Sequence, residues 1–225
     1  MFPLKDEIRP YSFPIVSYLI ILVNTLVFIY QYFFYPDPNE FILKYGFIPR
    51  EFSFMDIITS MFIHGGFFHI FSNMLFLFIF GDNVEDVMGH LRFLFFYIIW
   101  GFCAVFLQTL FYSDSNIPMV GASGAISGVL GAYLVFFPFS KIISFVFIPF
   151  IYIGIASIPA IIYLGIWFIN QFIQGTLSTL LNIHVGVAFW AHIGGFVGGL
   201  ITGVFFYPFK RQYIRGKRRR YYFYD

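Results

Sequence analysis

The chain has 225 residues, of which 60% are hydrophobic, 24% aromatic and only 11% charged, and its mean hydropathy is +0.82. Soluble domains carry about 25% charged residues, so this composition excludes an ordinary soluble domain and predicts an integral membrane protein. The single cysteine, Cys103, lies in an apolar run and has no partner for a disulfide within the chain. No linker or low-complexity run divides the sequence, which predicts one membrane domain.

Six apolar segments are long enough to cross a bilayer as helices, which requires about 20 residues each. They lie at 13–35, 64–81, 93–112, 118–137, 153–174 and 186–207. The segment 141–152 is also apolar, but Lys141 and Pro149 interrupt it, so we expect it to lie at the membrane interface and lead into the fifth span. The sequence therefore predicts an all-α membrane protein, with a bundle of six transmembrane helices over 13–207.

Basic residues are concentrated after the last span, although the net charge is only +2. Seven of the 13 lysines and arginines lie in the tail 208–225, at Lys210, Arg211, Arg215, Lys217, Arg218, Arg219 and Arg220. Such a run can bind nucleic acid, but directly after an apolar segment it is typical of a cytoplasmic flank at an anionic leaflet. We therefore expect the lipid bilayer, not nucleic acid, as its partner.

The same tail predicts the topology of the chain. Six spans place both termini on one side of the membrane, and the basic tail places that side in the cytoplasm. The chain then begins with a short cytoplasmic lead at 1–12 and ends with the cytoplasmic tail 208–225. For so short a chain, the simplest expectation is a bacterial plasma membrane.

Four polar side chains are predicted at similar depth near the outer ends of three spans. Ser123 and His192 lie about five and six residues into the fourth and sixth spans, and His69 and Asn73 lie in the outer half of the second. Since a helix rises 1.5 Å per residue, these groups lie roughly 8–14 Å below the outer ends of the helices. Polar residues inside a membrane are costly and usually functional, so this layer is the candidate site.

Glycines accompany the polar residues of the fourth and sixth spans at the spacing of a single helix face. They are Gly124 and Gly128 in the fourth span, and Gly195 and Gly199 in the sixth. Small residues allow membrane helices to approach closely. We therefore predict that the two spans pack together and bring Ser123 within hydrogen-bond distance of His192.

This pair suggests nucleophilic catalysis. A serine hydroxyl becomes a nucleophile when a neighbouring base accepts its proton, and His192 is the base expected within reach. Neither span carries an Asp or Glu that could orient the imidazole, so we predict a Ser–His dyad, not a triad. The His69 ring, the Asn73 amide and the backbone N–H of Ser123 are donors suited to stabilising an oxyanion.

For three further features, Ser127, the His64–His69 pair and Asp82, the sequence favours a structural role or gives little support for other chemistry. Ser127 is expected to bond a carbonyl of its own helix, as intramembrane serines usually do. His64 and His69 are five residues apart, a poor spacing for a metal on one helix, so neither a metal nor a cofactor is expected. Asp82 lacks a second membrane-embedded aspartate with which to form a carboxylate dyad.

Four motifs, in this order, resemble those of the rhomboid family of intramembrane serine proteases. They are HGGFFHIFSN (64–73), similar to the H-x4-H-x3-N element; GDNVEDVMG (81–89), similar to the G-x3-E-x3-G turn; GASGAISG (121–128), similar to the GxSG motif; and AHIGGFVGG (191–199), similar to the AHxxG element. With the six spans around them, the resemblance covers residues 14–207. It implies a rhomboid-like bundle that cleaves transmembrane segments of single-span or multi-span membrane proteins.

Carried over by motif, the resemblance assigns roles to individual residues. It makes Ser123 the nucleophile and His192 the general base. It assigns His69, Asn73 and the backbone amide of Ser123 to the oxyanion hole.

The resemblance also implies structural roles. Gly121 and Gly124 would shape the turn around the serine, and Glu85 would tie together the cytoplasmic end of the bundle. The external loop 36–63 would lie partly in the outer leaflet, and the segment 175–185 would cap the site.

Two positions depart from the family pattern. The first external loop often carries a Trp-Arg pair before the histidines of the second span, whereas 51–60 has Phe54 and no arginine. Some members place an aromatic residue four positions after the nucleophile, stacked on the catalytic histidine, whereas this chain has Ser127 there. Neither departure removes a catalytic group.

Two alternatives to a protease remain open at this point. The first is a non-catalytic rhomboid-like protein that binds membrane clients, against which the intact Ser, His and Asn set argues. The second is a small transporter or channel that uses the polar layer as a pathway. No ionisable residue continues that layer into the inner halves of the spans, so the second alternative has little support.

Overall fold

The structure, a computed structural model, describes residues 1–181, 183 and 186–221, with side chains up to Lys210. Along the described chain the helices are α1 (Ile15–Phe33), α2 (Pro38–Tyr45), α3 (Phe54–Ser60), α4 (Phe67–Phe76), α5 (Asp82–Met88), α6 (His90–Phe111), α7 (Ser123–Phe136), α8 (Ala160–Leu180) and α9 (Phe189–Tyr221). The strands are β1 (Phe2–Asp6), β2 (Lys141–Ile148) and β3 (Tyr152–Pro159). A π-helical turn, Leu77–Gly81, joins α4 to α5, so these two helices form one rod.

Six apolar helices correspond to the six predicted spans, and the predicted six-helix bundle is confirmed. Among the described residues, five are long and apolar enough to cross a membrane: α1, the rod Phe67–Met88, α6, α8 and the first part of α9, Phe189–Lys210. The sixth, α7, is apolar but has only 14 residues, a length of about 21 Å. The chain is thus a multi-pass integral membrane protein.

The short helix α7 lies at the centre of the bundle. Nearly all its residues are buried, and Trp100 of α6 and Tyr133 of α7 are fully inaccessible to solvent. A central helix of this kind does not need to match the thickness of the bilayer, because protein surrounds it instead of lipid.

The fourth span begins later than the sequence predicts. The expected start was 118, but α7 begins at Ser123 because Gly121 has a φ of +113°, which lies outside the helical region and favours glycine. Non-helical backbone at this depth is tolerated where it lines a cavity, as residues 118–120 do here.

Close packing between α7 and α9 follows from glycines on α9. A Cβ atom at Gly195 would overlap the carbonyl oxygen of Gly124, and one at Gly199 would overlap the carbonyl oxygen of Gly128. Only helices whose facing positions lack side chains can approach so closely. The predicted contact between these two spans is therefore present.

Gly124 and Gly128 of α7 make room for a different helix from the one expected. A Cβ at Gly124 would meet the Cβ of Ala104 on α6, and a Cβ at Gly128 would overlap the ring of Trp100 on the same helix. The missing side chains at Gly124 and Gly128 thus make room for α6, whereas Gly131, one turn further along α7, makes room for the backbone of α9.

A three-stranded antiparallel sheet, ordered β1-β2-β3, was absent from the predicted all-α fold. The segment 141–152, expected to lead along the interface into the fifth span, instead forms β2 and the turn of a hairpin. Consequently α8 begins at Ala160 and not at 153, and the N-terminal lead contributes β1 to the sheet. The period-2 pattern of β2 is hidden because apolar residues occupy both of its faces.

Polar contacts at the start of the chain hold β1 against the bundle. Asp6 accepts hydrogen bonds from the hydroxyl of Tyr133 at 2.6 Å and from Nδ2 of Asn83 at 3.0 Å. Burial raises the pKa of Asp6 to about 6, so its carboxylate is still mainly ionised at neutral pH and accepts both bonds. The sheet is thereby tied to α5 and α7.

Glu85 binds the first turn of α1, which has no side-chain cap of its own. Its buried carboxylate accepts the backbone N–H groups of Val16 at 2.9 Å and Ser17 at 2.8 Å, and the Ser17 hydroxyl at 2.7 Å. A carboxylate at a helix N-terminus satisfies free N–H groups and stabilises the helix dipole. These are the contacts that a structural residue at this end of the bundle would make.

We predict that Gly195→Ala destabilises the protein because the added methyl group forces α9 away from α7. Overpacking of this kind costs about 1–3 kcal/mol, and the melting temperature in detergent should fall by several degrees. Gly165→Ala is the matched control, since Gly165 lies within α8 and a Cβ there has no atom within 4 Å. Equal melting temperatures for the two variants would contradict the close contact between α7 and α9.

Candidate active site

Ser123 and His192 lie side by side at the start of two helices. Ser123 is the first residue of α7, and His192 lies in the first turn of α9. Nε2 of the His192 ring is 2.9 Å from Oγ of Ser123, a normal hydrogen-bond distance. The structure thus brings together the two residues that the sequence analysis paired.

The position of Ser123 differs from the prediction in a way that matters chemically. It was expected about five residues inside a helix, where its backbone N–H would bond the carbonyl four residues earlier. At the first position of α7 that N–H has no partner within the helix. The helix dipole also favours negative charge at this end, so the N–H of Ser123 is a suitable donor to an oxyanion.

Gln171 is a site residue that the sequence analysis missed. This buried side chain on α8 places its Oε1 atom 2.8 Å from Nδ1 of His192. The sequence predicts no orienting partner for His192, because neither the fourth nor the sixth span carries an acidic residue. A glutamine inside an apolar helix is a detectable signal, because burying an amide is costly unless it is hydrogen-bonded.

Trp167, one turn before Gln171 on α8, supplies an aromatic ring beside His192. The two ring centroids are 6.0 Å apart, with an angle of 35° between the planes, within the range of aromatic contacts. This ring comes from a different helix than the family pattern would suggest. The pattern's own position, Ser127, donates its hydroxyl to the carbonyl of Ser123 at 2.7 Å, so the expected bond within its helix is confirmed.

The start of α9 is held by contacts with α6 and α8. Oε1 of buried Gln108 on α6 accepts the backbone N–H of Ala191 at 3.1 Å, which satisfies one of the free donors of the first helical turn. Trp190 stacks on Phe111 with centroids 3.8 Å apart and donates its Nε1–H to Thr179 at 3.0 Å. These contacts fix the backbone directly before His192.

His69 and Asn73 lie on α4, and both line the same cavity as Ser123 and His192. Nδ1 of His69 accepts the backbone N–H of Gly65 at 3.3 Å. A neutral imidazole in this arrangement carries its proton on Nε2, so Nε2–H remains available as a donor. The Nδ2 group of Asn73 donates to the carbonyl of His69 at 2.8 Å and holds this turn of the helix.

The four side chains line a cavity of about 730 Å³. Its walls come from α4, the connection before α7, α7 itself, α8 and the start of α9, and several are aromatic or aliphatic: Phe67, Phe68, Phe76, Ile126, Leu130 and Trp167. A mostly apolar cavity with a few convergent polar groups is typical of a substrate site.

The predicted cap at 175–185 is described only in part. Residues 175–180 complete α8, and Ser178 and Ile183 line the cavity, which is consistent with a cap. Asn182, His184 and Val185 lie outside the described residues.

A family model, the Rhomboid domain, matches residues 51–209. The chain belongs to the rhomboid family. The matched region begins before α3 and includes the helices that contribute to the candidate site, up to residue 209 in α9, but it does not include α1, which the resemblance noted in the sequence had covered.

Several curated relatives of this rhomboid domain come from a plant and from yeast. The chain is 30% identical to RHOMBOID-like protein 7 of Arabidopsis thaliana over 72% of its own length and 45% of the relative. It is 31% identical to Rhomboid protein 1, mitochondrial, of Saccharomyces cerevisiae, over 58% of the chain and 39% of the relative. For Rhomboid-like protein 11, chloroplastic, of Arabidopsis thaliana, the figures are 30%, 56% and 43%. The chain thus spans less than half the length of these relatives.

The names of two of these relatives place them in mitochondria and chloroplasts. They do not support the expectation of a bacterial plasma membrane for this rhomboid domain. The apolar helices and the family support a multi-pass membrane protein, without identifying the membrane.

We predict that Gly121→Ala slows reaction of Ser123 with a fluorophosphonate by about 10²- to 10³-fold, the usual effect of losing an oxyanion donor. A Cβ at Gly121 would lie 2.6 Å from Nε2 of His69 and displace that ring. The measurement is the initial rate of labelling in detergent.

Gly89→Ala is the control for backbone strain alone. Gly89 also has a positive φ, +81°, but a Cβ there has no atom within 4 Å. Its labelling rate per folded molecule should match that of the native chain. A similar loss in both variants would show that strain, and not the His69 ring, is responsible.

Proposed function

We propose that this chain is an intramembrane serine endopeptidase that cleaves transmembrane segments of other membrane proteins. Ser123 acts as the nucleophile and His192 as the general base. The observation that carries the proposal is the 2.9 Å contact between Ser123 Oγ and His192 Nε2 inside the cavity. Membership of the rhomboid family supports a protease of this kind.

In the first half of the reaction, Oγ of Ser123 forms a bond to the carbonyl carbon of the scissile peptide while its proton passes to Nε2 of His192. The C–N bond of the tetrahedral intermediate then breaks, and the same proton moves from Nε2 to the leaving nitrogen. An acyl-enzyme on Ser123 and an amine product result.

In the second half, water takes the place of the amine. Nε2 of His192 accepts a proton from the water as its oxygen bonds to the acyl carbon. The Ser123–acyl bond then breaks, and the proton returns to Oγ. The peptide leaves as a carboxylic acid and the site is restored.

Three groups are suited to binding the oxyanion that forms in both halves. They are the backbone N–H of Ser123, Nε2–H of His69 and the Asn73 amide. The first is free of a helical partner, and the second faces Gly121, where no side chain blocks it. Donors that are already oriented before the reaction lower its barrier most effectively.

The walls of the cavity favour an apolar polypeptide as substrate. Phe67 and Phe68 of α4 line the cavity and are also largely exposed, at 67% and 84%, on the surface that would face lipid. A transmembrane segment of a single-span or multi-span protein would therefore meet apolar side chains before it meets Ser123.

The charge pattern supports an orientation for the site. The basic tail continues α9 beyond Lys210, at the end of the bundle opposite Ser123 and His192. With that tail and the N-terminus in the cytoplasm, the cavity opens toward the other side of the membrane.

Cleavage of a tagged single-span substrate by the purified chain in detergent tests the proposal. The native chain should produce two fragments, and Ser123→Ala and His192→Ala should each reduce the rate by at least about 10³-fold, because dyad members act as a unit. Ser157→Ala is the matched control, since Ser157 lies exposed on β3, outside the cavity, and should cleave at the native rate.

Cleavage that persists in Ser123→Ala would contradict the assignment of the nucleophile. Several substrates left intact by the native chain, but bound equally by native and variant chains, would instead favour a client-binding protein.

A further inference from the structure

The two ring nitrogens of His192 contact different residues. Nε2 lies 2.9 Å from Oγ of Ser123, and Nδ1 lies 2.8 Å from Oε1 of Gln171. With the amide oxygen of Gln171 directed at the ring, Nδ1 is the donor in this contact, because an amide oxygen has no proton to donate. A neutral imidazole has a single proton, and Nε2 is therefore left with a lone pair that faces the serine hydroxyl.

Gln171 is held firmly enough to impose this arrangement. Its side chain is only 7% exposed, and losing the contact would leave a buried acceptor unsatisfied, at a cost in free energy. Trp167 and Phe168 of the same helix pack on Phe196 of α9, with ring centroids 5.7 and 4.8 Å apart. The aromatic contacts fix α8 beside the helix that carries His192.

Trp167 also restricts the orientation of the His192 ring. Residues four apart lie on the same face of a helix, so Trp167 and Gln171 approach His192 together. The amide fixes one ring nitrogen, and the indole lies beside the ring at 6.0 Å between centroids. Rotation of the imidazole about its side-chain bonds would break one contact and crowd the other.

We propose that Gln171 is a positioning residue, whose amide oxygen holds His192 in the tautomer and orientation that accept a proton from Ser123. This inference rests on the proposed protease function. It adds a third side chain, from a third helix, to the pair that the family motifs identify.

A neutral amide orients and stabilises the histidine ring in a different way from a carboxylate. When Nε2 takes the proton of Ser123, the ring becomes positively charged, and the Nδ1–H bond to Gln171 strengthens as a charge-assisted hydrogen bond. No charge needs to be buried beside the ring before the reaction, and burying one inside a membrane protein would be costly.

Substitutions of two glutamines on α8 test the role of Gln171. Gln171→Leu keeps the size of the side chain but removes the acceptor, whereas Gln171→Glu keeps an acceptor oxygen at the same reach. Gln174→Leu is the matched control, because Gln174 is exposed on the same helix. For each variant, kcat and KM are measured with the tagged substrate.

We expect Gln171→Leu to lower kcat by about 10- to 100-fold, a part of the 10²- to 10⁴-fold that general-base catalysis usually supplies, with KM unchanged. Gln171→Glu should recover most of the lost rate, and Gln174→Leu should match the native chain. Equal kcat values for Gln171→Leu and Gln174→Leu would overturn the inference, as would a change confined to KM.

The tautomer of His192 provides a readout that needs no turnover. In ¹⁵N spectra of histidine-labelled protein, with the His192 signals assigned by comparison with His192→Ala, the native neutral ring should carry its proton on Nδ1. Gln171→Leu should give a mixture of tautomers. A native ring protonated on Nε2 would overturn the inference whatever the activity. An Nδ1–H ring in a native chain that cleaves nothing would remove the protease proposal but keep the positioning contact.

Discussion

The contact between α7 and α9 is the constraint on which the rest of the site depends. Gly195 and Gly199 let α9 rest directly on backbone carbonyls of α7, and any larger residue would separate the two helices. Ser123 and His192 are the side chains that this approach brings together at one end of the contact. Glycine lowers the stability of an isolated helix, so the close approach of α7 and α9 to each other and to α6 explains why both helices contain so much of it.

The helices next to α7 and α9 fix the positions of the side chains in the site. α6 fills the space left by Gly124 and Gly128 of α7 and holds the start of α9 through Gln108. The helix α8 places an amide and an indole around the imidazole, while α4 places His69 and Asn73 on the wall of the cavity. The polar groups of the site therefore come from four helices of the bundle, and each is held by contacts of its own.

The sequence predicted the pairing of Ser123 and His192 because glycine spacing and depth in the membrane both follow from position along a helix. It placed the start of α7 too early, since apolar residues continue unbroken from the non-helical connection into the helix. The sheet was missed because β2 is apolar on both faces, which hides the alternation of a strand. Gln171 was missed because the lack of acidic residues in the fourth and sixth spans predicted a dyad with no orienting partner, whereas an amide on the fifth span supplies that contact.

The most direct test of this account is a crystal structure of the chain after reaction with a fluorophosphonate. The account predicts a phosphorus atom bonded to Oγ of Ser123. One phosphoryl oxygen should lie within hydrogen-bond distance of the Ser123 N–H and Nε2 of His69, with α7 and α9 still in contact. An adduct on another residue, or a phosphoryl oxygen directed away from these donors, would contradict it.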